Sequence, residues 1–278
     1  MENTETIQLK NTEHNEKAWK ILNATTLKLL ACAFMFLDHI HQMFAYRGAP
    51  IWLTMAGRVV FPIFLFAAAE SFYYTHNKRK YLQRLLFASW GMTIFTFALS
   101  KVLPNPNVAL MNNAFSTFFV AGLYMLCWDY FTDGIRTKSW KKVLKSILIA
   151  FIPIVSALPA YLVALLSFNQ EIPASVIQLL AKAALLIPNI LTAEGGFAMV
   201  ALGAAFYIFR KYRWLQIVVL LALSGAVYLA DGSFQWLMCF AAIPMLLYNG
   251  KRGAGMKNFF YIFYPAHIGI LYILSTIL

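Results

Sequence analysis

LKLLACAFMFLDHIHQ, residues 27–42, is apolar from Leu29 to Leu37 and then turns polar at Asp38 and His39. A helix through this run puts the Asp–His pair more than halfway along a segment of membrane-spanning character. The rest of the chain supports that reading. Charged residues are 12% of the 278 and hydrophobic residues 61%, with a mean hydropathy of +0.65. Soluble domains carry about 25% charged and about 45–50% apolar residues. So little charge cannot cover a water-facing surface, and most of the exterior must meet lipid. A crossing helix needs about 20 residues, and apolar runs near that length recur at 25–45, 59–76, 85–103, 113–131, 146–167, 174–191, 196–209, 214–230, 234–248 and 258–277. Those at 196–209 and 234–248 are short. None alternates polar and apolar as barrel strands do. The fold expected is all-α, a polytopic transmembrane helical bundle.

Basic residues indicate its topology. Lys10, Lys17, Lys20 and Lys28 precede or open the first helix. Further groups fall at 78–84, 136–145, 210–213 and 251–257, and together these hold 19 of the 23 basic residues. Cytoplasmic loops are rich in Lys and Arg, yet ten full crossings would put 210–213 and 249–257 outside. Making 174–191 partial or re-entrant restores the rule, and Pro173, Pro188 and Lys182 already set that run apart. The expectation is about nine crossings plus one partial helix in the cell membrane, with a cytoplasmic N-terminus and an extracytoplasmic C-terminus. Residues 1–24 read as a polar tail with no cleavable signal peptide, and 25–278 as one transmembrane domain. The net charge of +12 does not point to nucleic acid, because the cations lie in short runs and form no basic amphipathic face. Cys32, Cys127 and Cys239 are far apart and lack CxxC or His/Cys ligand spacing, so neither a metal site nor a disulfide framework is expected.

A charged side chain at mid-bilayer costs about 2.5–3.5 kcal/mol on insertion scales, which makes it a candidate for function. Asp38, Glu70, Glu194 and Asp231 fall in or against membrane segments, in the company of His39, His41, Arg58, Lys182 and His267. Lys28 and His39, eleven residues apart, share nearly one helix face, with the His roughly 16 Å further along. A His serves as a general base near neutral pH, and a carboxylate can fix its tautomer; the alternative is a buried His that only ties helices together. Arg58 and Glu70 are about 18 Å apart on one helix and cannot pair. Each needs a partner elsewhere, unless Arg58 reaches out to the interface. Glu194-Gly195-Gly196 allows a tight turn and close approach by a ligand or backbone, whereas Asp231-Gly232 reads as a solvated outer turn. Pro265 removes a backbone donor beside His267. That leaves either a polar pocket of Tyr264, His267 and a freed carbonyl, or simply a kink.

The Lys28–His39 stretch with its Leu-Asp-His core, GRVVFPIFLFAAAESFYYTHNKRKYLQRLL (57–86), Glu194-Gly195-Gly196, LLYNGKRG (246–253) and FFYIFYPAHIGILY (259–272) resemble, in the same order, the TraX family of membrane proteins. That family is named for a protein that acetylates the N-terminus of conjugative pilin subunits. It looks related to transmembrane acyltransferases that take acetyl groups from cytoplasmic acetyl-CoA. In the acyltransferase-3 group a basic residue and a His with ten residues between them are typical of the first helix; Lys28 and His39 match, with Lys where Arg is usual. The resemblance implies a catalytic role for His39 supported by Asp38, with Arg58, Glu70 and His267 as further members. It implies acetyl-CoA as donor, its phosphates held by cytoplasmic cations such as Lys28, Lys78, Arg79, Lys80 and Arg84 or the 210–213 group. Glu194 and Tyr264 are the candidate substrate contacts. The acceptor would be a glycan, lipid or peptide bearing an amine or hydroxyl. Two other functions fit the same residues: a proton-coupled transporter or flippase, and a non-catalytic subunit of an envelope complex.

Overall fold

The computed structural model describes residues 19–169 and 171–278, and among these the chain is helical, with a lone bridge between Leu22 and Tyr248 in place of a sheet. Lipid offers no hydrogen bonds, so a chain this apolar must satisfy its backbone within helices. The helices are α1 (Ala24–Phe44), α2 (Trp52–Gly57), α3 (Val60–Tyr73), α4 (Lys78–Val102), α5 (Ala114–Arg136) and α6 (Trp140–Val155). They continue as α7 (Leu158–Leu166), α8 (Ala174–Ala184), α9 (Gly196–Ile208), α10 (Arg213–Asp231), α11 (Ala242–Leu247) and α12 (Lys257–Ile277). Asparagines start three of the long ones: Asn23, Asn77 and Asn113 each accept a backbone N–H of the first turn, which occupies donors the helix leaves free. Six helical stretches are long and apolar enough to cross a membrane: Trp52–Tyr73, Lys78–Val102, Ala114–Arg136, Trp140–Leu166, Arg213–Asp231 and Asn258–Ile277.

The basic loops converge on one end of the bundle. There the backbone N–H of Ala24 donates to Lys251, Arg210 lies over the Tyr73 ring at 4.2 Å, and Lys145 donates to Tyr130. At the opposite end Tyr46 donates to the Ser275 carbonyl. The main core joins Leu27 and Ala31 of α1, Ile63 and Phe66 of α3, Ala121 of α5, and Leu202 and Phe206 of α9. Small residues let these helices meet: a Cβ on Gly203 would lie 2.9 Å from Leu65 and 3.2 Å from Ala121. By contrast, α6, α7 and α8 expose Leu148, Phe151, Leu162 and Leu179, a surface suited to lipid.

Two segments depart from simple crossings. In 174–191 the helix covers only the 11 residues of α8, about 17 Å, too short to cross. The chain then returns against the Pro153 bend, where Ile190 donates to Pro153 and Ser156 to Pro188. In 234–248, residues Phe234–Ala241 form a 3₁₀ helix before α11. A 3₁₀ helix rises about 2 Å per residue rather than about 1.5 Å, so this short run reaches further than an α-helix of equal length. Of the polar tail expected at 1–24, residues 1–18 lie outside the described residues.

Candidate active site

His39 is 5% exposed, held on the inner face of α1. Its Nδ1 lies 2.6 Å from Nε2 of His267 on α12, and the two rings stack with centroids 4.9 Å apart. His267 Nδ1 lies 2.6 Å from the Phe263 carbonyl, and its ring also stacks on Phe263 at 4.6 Å. These bonds assign the tautomers. A carbonyl only accepts, so His267 carries a proton on Nδ1, and in the neutral ring with that tautomer Nε2 accepts. His39 must therefore donate from Nδ1, which leaves His39 Nε2 bare. The only hydrogen-bond partner of that atom among the described residues is Asn112 Nδ2, at 3.4 Å. So long a bond holds the lone pair weakly. Asn112 is itself anchored by a reciprocal amide pair with Gln42, 3.0 Å in each direction.

Asp38 was expected to orient His39, and it does not. Successive helix residues point about 100° apart, and Asp38 faces α2 instead. There it accepts from Thr54 Oγ1 at 2.6 Å and from Arg58 Nη2 at 2.6 Å. Arg58 also donates to the Thr54 carbonyl and hydroxyl and to Gln235. Four of its five N–H groups are thus engaged, and one on Nη1 is left beside the cavity. Gly57 makes this approach possible, since a Cβ there would sit 2.3 Å from Asp38 Cβ. Gly57→Ala is therefore expected to destabilise the fold by about 1–3 kcal/mol. Gly91→Ala, with nothing within 4 Å of the new Cβ, should be neutral or stabilising; thermal unfolding in detergent compares the two.

Glu194 and Tyr264 do come together. Tyr264 donates to Glu194 Oε2 at 3.1 Å, and that oxygen also accepts the Asn113 N–H at 2.8 Å at the start of α5. Gly195 and Gly196 take φ of 76° and 68°, a left-handed turn that glycine enters without strain and that aims the carboxylate inward. Tyr264 lies against His39, ring centroids 6.4 Å apart. The carbonyl that bonds His267 is not the one Pro265 frees. A proline leaves unpaired the carbonyl four residues before it, here Tyr261, whereas the ring uses Phe263.

A cavity of about 1400 Å³ joins these groups. At the basic end it is lined by Lys28, Arg84 and Arg252; in the middle by His39, Tyr264 and Glu194; at the other end by Arg58, Gln235 and Asp231. Glu70 lines it near the basic end, facing Arg213 at 3.9 Å, and so stands apart from the histidines. Lys78 and Arg79 belong to a separate cleft, where Lys78 pairs with Asp129 and donates to Tyr207. Lys80 is exposed and lines neither. Among the expected phosphate ligands, only Lys28 and Arg84 reach the central cavity. Asn112, Thr54 and Gln235 were not expected in the site, and Arg252 was expected only as part of a cytoplasmic basic loop. Thr54 and Gln235 are single neutral polar residues in otherwise apolar helical runs, which carry no signal of their own. Among the described residues no cluster of three His, Cys, Asp or Glu side chains is placed to hold a metal ion.

A helical bundle with lipid-facing flanks and a buried polar cavity defines a polytopic membrane protein with an internal site. The chain belongs to the TraX protein family, whose model matches residues 23–275. It is also similar to a protein of Dichelobacter nodosus described as "Probable fimbrial assembly protein FimC, serogroup H1", with 27% identity over 277 residues, covering 90% of this chain and 94% of that protein. No solved structure matches it.

Proposed function

We propose that this protein is a transmembrane acetyltransferase, moving an acetyl group from cytoplasmic acetyl-CoA to an amine or hydroxyl on a membrane or extracytoplasmic acceptor. One observation carries the reading: a neutral imidazole with a bare Nε2 sits midway along a cavity that is basic at one mouth and polar at the other. The donor supplies an activated thioester at one end and phosphates at the other. Lys28 and Arg84 suit the phosphates, and about 1400 Å³ is ample beside the roughly 300–1,000 Å³ of ordinary ligand pockets.

The chain's own residues have definite tasks in this scheme. His39 Nε2 takes the proton from the acceptor's N–H or O–H. The acceptor's nucleophile bonds to the acetyl carbon as the carbon–sulfur bond breaks, and the proton on His39 passes to the departing sulfur. His267 Nε2 receives the Nδ1 hydrogen bond and spreads the transient positive charge over two rings. The free N–H of Arg58 stabilises negative charge developing on the carbonyl oxygen; Asp38 holds that guanidinium in place. The Dichelobacter nodosus relative is described by its part in fimbrial assembly, which supports an acceptor passing through the cell envelope. The test is release of free thiol from acetyl-CoA by the purified protein in lipid nanodiscs with envelope extract as acceptor. Release proportional to protein is expected, and its absence would overturn the proposal.

The reach of the cavity toward both ends favours one second reading, a proton-coupled transporter. That reading requires pH-driven movement of a solute or lipid in proteoliposomes and no acetylated product.

A further inference from the structure

We infer that the loop from Tyr248 to Met256, with Lys28, Arg84 and Arg252, forms a diphosphate-binding site at the basic mouth of the cavity. The loop sequence is YNGKRGAGM, and it is strapped to the start of α1. Asn249 donates to the Leu22 carbonyl and Ala24 to the Lys251 carbonyl, both at 2.8 Å. Thr25 Oγ1 reaches the carbonyls of Ala254 at 2.6 Å and Arg252 at 3.1 Å. Gly253, at φ 74°, packs so closely that a Cβ would fall 2.2 Å from Asn23 Oδ1. The loop is thereby fixed over α1, and Gly250, Arg252, Ala254 and Gly255 line the cavity mouth. Lys28 lies one turn beyond Thr25 on the same helix, its Nζ 5.5 Å from the Phe260 ring centroid. Arg84 enters the same mouth from α4.

Charge indicates the class of ligand this mouth suits. Four other cations at this end have acid partners: Arg213 faces Glu70, Lys78 pairs with Asp129, and Arg136 and Lys142 share Asp133. Lys145 and Arg210 lie over the rings of Tyr130 and Tyr73, outside the cavity. Among the described residues no carboxylate pairs with Lys28, Arg84 or Arg252. Three positive charges gathered at a cavity mouth attract an anion of matching charge. Two guanidinium forks and an ammonium suit the paired oxygens of a diphosphate. Identifying that diphosphate with the donor's nucleotide rests on the acetyltransferase reading. A lipid-linked diphosphate has the same chemistry.

The test uses the full chain in nanodiscs and measures binding of inorganic pyrophosphate and of coenzyme A by calorimetry. Arg252→Gln and Lys28→Gln are each expected to weaken pyrophosphate about tenfold or more, and added salt to weaken it in the wild type. Arg136→Gln, in the separate cleft, should bind as the wild type does. Arg252→Lys, which keeps the charge, should recover part of the loss and guards against misfolding as its cause. No pyrophosphate binding by the wild type, or equal affinity in the wild type and the Arg252→Gln, Lys28→Gln double variant, overturns the inference. Arg252-dependent binding of pyrophosphate without binding of coenzyme A supports the site and removes the acetyl-CoA reading; nanodiscs containing a polyprenyl diphosphate then compete with pyrophosphate.

Discussion

His39→Gln is expected to lower acetyl transfer about a thousandfold, within the range that a positioned general base contributes, while the protein stays folded. Glutamine can still donate a hydrogen bond toward His267 Nε2, so the tie between α1 and α12 survives. It has no basic nitrogen to offer the acceptor, so proton removal fails. This substitution separates the two readings of the buried pair. If His39 only joined helices, His39→Gln would keep full turnover and His39→Ala would lose it. If His39 is the base, both lose turnover, and Km for the donor stays near the wild-type value because the phosphate ligands are untouched. Initial rates of thiol release across a range of acetyl-CoA concentrations decide between them.

Asp38→Ala is expected to have the largest effect on stability, about 3 kcal/mol. The cost lies less in the lost bond than in what remains, an Arg58 guanidinium only partly exposed and without its counter-ion. Thr54 loses its acceptor in the same change. Removing both charges should cost less: the Asp38→Ala, Arg58→Met double variant is expected to unfold at a higher temperature than Asp38→Ala alone. Unfolding followed by intrinsic fluorescence in detergent checks the order of the three proteins. A double variant less stable than Asp38→Ala would mean that the pair is not coupled as its 2.6 Å separation implies.

The helices were legible because hydrocarbon leaves the chain few alternatives, and an apolar run of sufficient length must coil. The anomaly at 174–191 was legible too, since the basic loops fit one side only if that run fails to cross. The eight-residue 3₁₀ stretch was not, because Phe234–Ala241 has the composition of any apolar helix and its winding depends on neighbours. In the site, His39 stood out by the cost of placing an imidazole in lipid. His267 stood out for the same reason, but its pairing with His39 did not. His267 is 228 residues away in sequence, while Asp38, adjacent in sequence, turns toward α2. Adjacency suggested the wrong helper, and helical geometry is the reason. Gly57 and Asn112 carried no signal: one acts by lacking a side chain, the other by a weak bond to a ring.

The proposed chemistry meets its most direct test in the cell envelope. Mass spectrometry of envelope components would compare strains carrying the wild-type gene, no gene, and the His39→Gln variant. The account predicts a component that is heavier by one acetyl group only with the wild-type gene. Identical mass profiles in all three strains would contradict it.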